Sequence, residues 1–298
     1  MAGIRKRSKH DKIWDTIILI FMAIFVVVTL YPILNTLAIS FNDGIDSVRG
    51  GIYIWPRVFS LQNYQTVFHN PKLAQAAFIS VSRTVVATVL QVFLTAMLAY
   101  VLSRKEFIFK KSLSVVYVLT MYVNGGMIPT YVLMKDLHLT NNFLVYILPG
   151  LVAAFNMIVM RTYMNGLPDG LVESAKIDGA GDFRIFIQII LPLCKPALAT
   201  VALFIAVGQW NSWFDSMLYC AQSPNLTTLQ YELMKVLSAA TQQGGAGTAD
   251  MVKNSGSIVT SQSIRSAITI VTALPIVFIY PFLQKYFISG LTIGGVKE

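Results

Sequence analysis

Leu167 to Pro192, LPDGLVESAKIDGAGDFRIFIQIILP, is a patterned, charge-bearing interval between two long apolar runs. Pro168 stands at a helix-start position, and Asp169 and Glu173 fall in the early turns, where the positive end of a helix dipole favours carboxylates. Gly179-Ala180-Gly181 ends that helix, and Asp182 is predicted to cap a second one. Phe183, Phe186, Ile187 and Ile190 fall at i, i+3, i+4 and i+7, which predicts an apolar stripe along the second helix, with Pro192 ending it. Ser174, Ala175, Gly179 and Ala180 keep the surface of the first helix low, so that another protein's backbone can approach closely. The physics leaves two readings of this helix-turn-helix open: a structural re-entrant loop, or a lever that passes a push from a soluble partner into the apolar segments around it.

Those segments set the fold class. Of 298 residues 55% are apolar and 12% charged, about half the charged share of a soluble domain, so a water-facing surface cannot be assembled from them. A bilayer core about 30 Å thick needs about 20 apolar residues per helix. The pattern predicts an all-α integral membrane protein with six transmembrane helices near 14–40, 73–102, 113–134, 142–163, 196–221 and 264–288. Strands are excluded because an isolated strand in hydrocarbon leaves its backbone groups unpaired. The organisation expected is a basic amino-terminal segment 1–13, then one membrane domain 14–298 with a long inside loop 164–195 and a tail 289–298.

Charge placement orients the spans. With the amino end inside, fifteen Lys and Arg residues flank the inner side, seven flank the outer side, and Arg83 lies within the second span. Both termini are therefore expected in the cytoplasm. The formal charge of +9 is explained by this flanking pattern, and no basic stripe with interleaved aromatics points to nucleic acid. The apolar run Thr16–Phe41 exceeds a signal-peptide core and reads as a retained anchor. Cys194 and Cys220 lack disulfide or metal spacing and are expected at opposite ends of one spanning helix; His10, His69 and His138 sit in separate flanking segments with no metal spacing.

Glu173-Ser174-Ala175, Gly179, Ile189, Leu191 and Pro192 resemble the EAA motif of binding-protein-dependent ABC importer permeases, written as EAA, three residues, Gly, nine residues, I-x-L-P. Every spacing fits, and Ser174 for the first Ala is the one departure. The wider resemblance is to the second permease subunit of carbohydrate importers, the class of the maltose importer. The ending Ser289 to Glu298 is similar to that subunit's tail, and Gly125-Gly126-Met127-Ile128-Pro129-Thr130-Tyr131 looks like the complex-sugar or multi-sugar branch of Gram-positive bacteria.

This resemblance implies the type I importer, MetI-like, permease fold in the cytoplasmic membrane of a bacterium. It implies a sugar or oligosaccharide cargo, two ATPase subunits, a second and different permease, and an extracytoplasmic solute-binding protein. The chain contains no G-x-x-x-x-G-K-[ST] sequence, so ATP and Mg2+ are expected on the partner ATPases, with no cofactor and no catalysis in this chain. Glu173, Ser174, Ala175, Asp178, Gly179, Ala180 and Gly181 are then the residues that couple to the ATPases, and Gly294, Gly295, Val296 and Lys297 the tail that reaches into the ATPase dimer. Gln243, Gly244, Gly245 and Gly247, in the outside segment Gln222–Gln262, match the family loop that enters the binding protein's cleft; the alternative is a solvated linker.

Polar residues inside spans draw attention in their own right. Gln209, Trp210, Asn211, Trp213 and Asp215 in the fifth span combine amides with indoles, as a sugar path requires; helix-to-helix hydrogen bonding plus an interfacial aromatic belt is the competing view. Arg83 is expected to pair with a carboxylate or amide within the bundle. Permeases for an amino acid, peptide or phosphonate remain alternatives within the importer class. An ion-coupled secondary transporter has only Asp215 as an acidic candidate.

Overall fold

The computed structural model describes residues 9–242 and 259–293, and among these the elements are helical, with Asn42 and Phe59 forming an isolated bridge. In chain order the helices are α1 (Lys9–Ser40), α2 (Gly44–Val48), α3 (Gln62–His69), α4 (Pro71–Ser103), α5 (Lys110–Tyr122), α6 (Met127–Asp136) and α7 (Ala154–Asn165). There follow α8 (Gly170–Ile177), α9 (Asp182–Ile185), α10 (Leu191–Leu193), α11 (Lys195–Asn211), α12 (Phe214–Tyr219), α13 (Leu229–Gln242) and α14 (Ser261–Ile293). Short 3-10 turns cover Phe143–Tyr146, Leu148–Gly150 and Pro224–Leu226. Gln243, Gly244, Gly245, Gly247, Gly294, Gly295, Val296 and Lys297 lie outside the described residues.

Three stretches, Lys12–Ser40, Pro71–Ser103 and Ser261–Pro281, are continuous helices long and apolar enough to cross a bilayer. Three more are bent pairs: α5 with α6 at 117°, Phe143–Gly150 with α7 at 49°, and Asp182–Leu193 with α11 at 83°. The segments 113–134, 142–163 and 196–221 are thus not the single helices their hydropathy predicts. In the first, the Asn124 Oδ1 accepts the Gly126 N–H at 2.8 Å and Gly126 takes φ +89°, a conformation cheap only for glycine. In the second, Pro149 offers no N–H to carry a helix forward. In the third, the helix stops at Asn211 and resumes at Phe214, so Cys194 and Cys220, both buried free thiols, do not share one helix.

The chain divides into two compact units. One comprises residues up to His69 with Val236–Thr272. In it α1 presents its apolar side chains outward along its length, as a lipid-facing helix must. Beyond Ser40 the chain is tied by a buried polar knot. The Asn42 side chain donates to Asp46 Oδ2 at 3.1 Å and Ser47 Oγ at 3.0 Å and accepts from Val58 N at 2.8 Å. Asn63 donates to the Ser40 and Asn42 carbonyls at 2.9 and 2.8 Å, and Asp43 caps α2 by accepting from the Ile45 and Asp46 amides.

The second unit is Asn70–Lys235 with Ala273–Glu298. Its axis is α4, 33 residues and so about 50 Å long, started by Asn70 capping the Lys72 amide with Pro71 in the first turn. α7 and α11 pack along it. Ala96, Ala99 and Ala197 allow close approach, and Met157, Met160 and Met164 fill the irregular gaps. The same core continues through Val172, Ala175, Ile185, Phe186 and Ile190, so the loop 164–195 is packed into the helices it joins.

Replacing Asn42 by Ala removes the acceptor of the Val58 amide and the donor to Asp46 Oδ2 and Ser47 Oγ, leaving Asp46 with Arg57 at 3.2 Å, and is expected to destabilise the first unit by about 2 kcal/mol. A thermal melt of the purified protein, with Asn63→Ala alongside, checks this; an unchanged midpoint contradicts it.

Candidate coupling site

The loop residues predicted to couple come together at α8 and the turn that closes it. After Ile177 the Gly179 N–H bonds to the Lys176 carbonyl at 3.0 Å and the Ala180 N–H to the Ala175 carbonyl at 2.9 Å, with Gly179 at φ +78°. This pairing is a Schellman cap, in which the left-handed position is given to glycine. A Cβ built at Gly179 meets nothing within 4 Å, so its requirement for glycine comes from backbone conformation and not from crowding. Glu173 and Ser174 are exposed, and Glu173 makes no ion pair among the described residues.

Ala175 points the other way. It is buried with Val172 against the core of α4 and α7, so it fixes α8 to the membrane helices and offers no surface to a partner. Two further expectations need correction. Asp182 is the first helical residue of α9, whose cap is Gly181 without a side-chain hydrogen bond. The stripe Phe183, Phe186, Ile187, Ile190 is broken too: Phe183 is 65% exposed and Ile187 36%, while Ile185, Phe186 and Ile190 are buried. The cause is a turn of π-helix at Phe186–Ile190, whose extra residue shifts the phase of a 3.6-residue pattern. The helix also continues through Pro192 to Leu193 and turns at Cys194.

Side chains from the 104–109 turn brace α8. Lys105 reaches Asp169 at 2.7 Å, and Lys176 reaches Glu106 at 2.7 Å and Asp182 at 4.0 Å. The hydrogen bond to Lys105 holds the Asp169 carboxyl below its ordinary value, and the one to Lys176 does the same for Glu106; Asp169 and Glu106 in turn hold the two ammonium groups above theirs. These groups are exposed, so each pair is screened and weak.

A second assembly of polar groups lies inside the membrane segments of the second unit. Arg83 on α4 is 1% exposed. Its Nη1 and Nη2 donate to Asp215 Oδ1 at 3.1 Å and Oδ2 at 2.5 Å, its Nε and Nη2 to Gln209 Oε1 at 3.1 and 2.7 Å, and its Nη1 to the Ser212 carbonyl at 3.4 Å. The guanidinium also sits 4.3 Å from the centre of the Tyr146 ring. Arg83 thereby meets both a carboxylate and an amide, one on each side of the break between α11 and α12. The Asp215 Oδ1 also accepts the Ser216 amide at 2.8 Å.

Residues 1–293 match the family profile described as binding-protein-dependent transport system inner membrane component. The chain belongs to this family of importer permeases. It is similar to the polygalacturonan/rhamnogalacturonan transport system permease protein YtcP of Bacillus subtilis, 35% identical with 96% of this chain and 99% of that protein covered. It is also similar to the arabinooligosaccharides transport system permease protein AraQ of Halalkalibacterium halodurans, 31% identical with 98% and 99% covered. Among solved structures, a bacterial ABC transporter involved in import of the acidic polysaccharide alginate contains a chain with TM-score 0.87 and 27% identity, covering 95% of this permease and 99% of that chain. The all-helical membrane permease fold expected from the sequence is therefore the fold of the chain.

In this permease the five fifth-span residues do not converge on one open path. Gln209 and Asp215 are held by Arg83. Trp210 is buried beside a cavity of about 150 Å3 lined otherwise by residues such as Val81, Thr84, Leu203, Val207 and Pro275. Asn211 is exposed, and Trp213 stands edge-on to Phe214 at 5.8 Å. Sequence reasoning missed Lys105 and Glu106 as braces of α8. The basic neighbours Arg104, Lys110 and Lys111 made the whole turn read as topology.

Two outcomes follow from the loop. Gly179→Asn, which tolerates a left-handed backbone, is expected to leave the loop folded, whereas Gly179→Val is expected to cost about 1–2 kcal/mol and to unwind the end of α8; protease sensitivity at 176–182 in membranes distinguishes the two. For pH, the depressed carboxylates contribute stability that is present above their ordinary range and lost as pH falls through their lowered values. The raised lysines contribute below the ordinary lysine range and lose it as pH rises through their raised values. The protection of α8 amides, taken relative to the exchange of an unstructured chain at the same pH, is expected to be flat across neutral pH and to fall at both extremes, with Lys105→Met and Lys176→Met abolishing the acid limb.

Proposed function

We propose that this permease is one of two different membrane subunits of an ATP-binding-cassette importer that carries an oligosaccharide across the cytoplasmic membrane. Two ATPase subunits bind ATP and Mg2+, and an extracytoplasmic solute-binding protein delivers the cargo. The observation that carries the reading is the co-occurrence of a fully spaced EAA loop with full-length similarity to permeases of polymeric and oligomeric sugars. Both termini and the loop 164–195 face the cytoplasm, which the distribution of Lys and Arg supports.

In this reading ATP binding closes the ATPase dimer, and the exposed face of α8, with Glu173 foremost, receives that movement. Ala175 and Val172 bind the other face of α8 into the core of α4 and α7, so a push on the loop displaces packed helices as a body. Alternating access follows from rigid-body rocking, and hydrolysis resets it. Gln243–Gly247 meets the binding protein's cleft, and Gly294–Lys297 meets the ATPases.

The test reconstitutes the permease with its neighbouring second permease, ATPase and binding protein in proteoliposomes. Sugar-loaded binding protein is expected to stimulate ATP hydrolysis and to drive uptake of labelled arabinotriose or trigalacturonate. Glu173→Ala is expected to abolish the stimulation while leaving the complex assembled. Stimulation by an amino-acid or peptide binding protein, with neither sugar taken up, would replace the carbohydrate reading, and an unimpaired Glu173→Ala complex would remove Glu173 from the coupling surface.

A further inference from the structure

In the first unit the segment that follows α1 doubles back along it. Within α1 the Asn35 side chain donates from Nδ2 to the Ile52 carbonyl at 2.7 Å and to the Tyr53 carbonyl at 2.9 Å. Nearer the end of the helix the Ser60 amide donates to the Phe41 carbonyl and the Asp43 amide to the Val58 carbonyl, both at 2.8 Å, and the Phe41 and Phe59 rings stack at 5.7 Å. Residues 52–59 are thus a strap fastened to α1 at two levels. Between strap and helix lies a cavity of about 510 Å3, lined by residues such as Leu37, Phe41, Ile54, Trp55, Arg57 and Phe59. The strap turns large side chains outward: Trp55 is 82% exposed, and Tyr53, Ile54 and Phe59 are exposed with it.

The level of the Asn35 fastening coincides with the edge of the hydrocarbon. From Thr16 to Leu34 α1 carries no charge, and Trp14 before this run and Asn35 after it are twenty-one residues apart. At about 1.5 Å per residue the two lie about 31 Å apart along the helix, against about 30 Å for a bilayer core. Trp14, exposed between Lys12 and Asp15, stands at one boundary of that core, and Asn35 with Tyr53 and Trp55 stands at the other. Tyrosine and tryptophan settle at such a boundary because their rings are apolar while the O–H or N–H reaches water or headgroups. Arg57 sits half-exposed on the rim of the groove, pairing with Asp46 at 3.2 Å and donating to the Gly50 carbonyl at 2.8 Å.

We propose that the strap and the carboxyl end of α1 form a phospholipid site, in which an acyl chain lies in the groove while Tyr53 and Trp55 hold the segment at the headgroup level of that leaflet. The groove continues the surface of α1, whose apolar side chains are exposed along its length, so the lipid that covers the helix also reaches the groove. Its lining is apolar or aromatic but for Arg57, and the Ile52 and Tyr53 carbonyls already accept from Asn35. A polypeptide occupant would bring backbone N–H and C=O groups that this lining leaves unpaired, whereas an acyl chain needs no hydrogen bonds. The buried knot around Asn42 and Asn63 fixes both ends of the strap, so the groove is preformed. Such a site holds the first unit at a set depth in the bilayer whatever the cargo.

The test places the full-length permease, assembled with its second permease and ATPases, in nanodiscs of phosphatidylethanolamine and phosphatidylglycerol whose chains are brominated either near the headgroup or near the terminal methyl. The emission of Trp55 is taken as the difference between the wild type and Trp55→Phe. Bromine near the headgroup is expected to quench it about twofold, bromine near the chain end to quench it less, and aqueous iodide to leave it unchanged. In native mass spectrometry the wild-type complex is expected to retain one phospholipid more than the double variant Ile54→Asn, Trp55→Ser, whose two positions are exposed and outside the Asn42 knot. Quenching by iodide overturns the lipid site, because the strap then lies in water. Emission indifferent to both quenchers overturns it as well, because a neighbouring subunit then covers the groove. Equal lipid retention by wild type and variant overturns the groove as a site even where the indole lies at the interface. A double variant that fails to assemble leaves the decision to the quenching of wild-type Trp55.

Discussion

The guanidinium of Arg83 is the constraint around which the membrane unit is organised. A full charge at membrane depth is tolerated only when its donors are met, and here five donor bonds run to Gln209, Ser212 and Asp215, with the Tyr146 ring covering the cation's face. Those partners lie on α11, in the gap after it, on α12 and in the turn before α7. One side chain on α4 therefore fixes the position of two interrupted spans. Removing one member of such a pair strands the other, at a cost of about 3–5 kcal/mol, so the break between α11 and α12 cannot heal into a straight helix without losing Arg83's partners.

This explains which parts of the molecule were legible in its sequence. Hydropathy averaged over a window registers apolar length, and its segments near 14–40, 73–102 and 264–288 fall on three long continuous helices, while the other three fall on bent or broken ones. It does not register a break of two or three residues within an apolar run. Nothing at Asn211-Ser212-Trp213 signals a stop; the stop is imposed from outside by Arg83, a residue more than a hundred positions away in sequence. The bend after Tyr122 differs, because Asn124-Gly125-Gly126 carries local turn chemistry that could have been weighed against the apolar pattern.

The loop 164–195 shows the same division at finer scale. The end of α8 at Gly179 was readable because a Schellman cap is local and its glycine has a single backbone reason. The orientation of Ala175 was not, since an alanine suits an outer docking face and an inner packed face equally well. The apolar stripe after Asp182 failed for a third reason. Periodicity assumes one helical pitch, and the π turn at Phe186–Ile190 changes it: Phe186 and Ile190 are buried as the stripe requires, while Ile187 within the turn and Phe183 before it are left exposed.

The coupling role proposed for α8 demands an element that is stiff toward the membrane helices and accessible to the protein that moves it, and α8 meets the two demands on opposite faces. Val172 and Ala175 extend the core that also holds Ala96, Ala99 and Met164, while Glu173 and Ser174 on the adjoining positions stay in solvent. The ion pairs from Lys105 and Lys176 are too exposed to supply the stiffness, and the Gly179 cap only ends the helix. Apolar packing is the remaining source, and it is the kind that transmits displacement, because a close-packed core responds to a push by moving as a body and not by compressing. The short side chain of Ala175 matters in this respect: it lets the α8 backbone lie close to the core, so the distance over which a push could be dissipated is small.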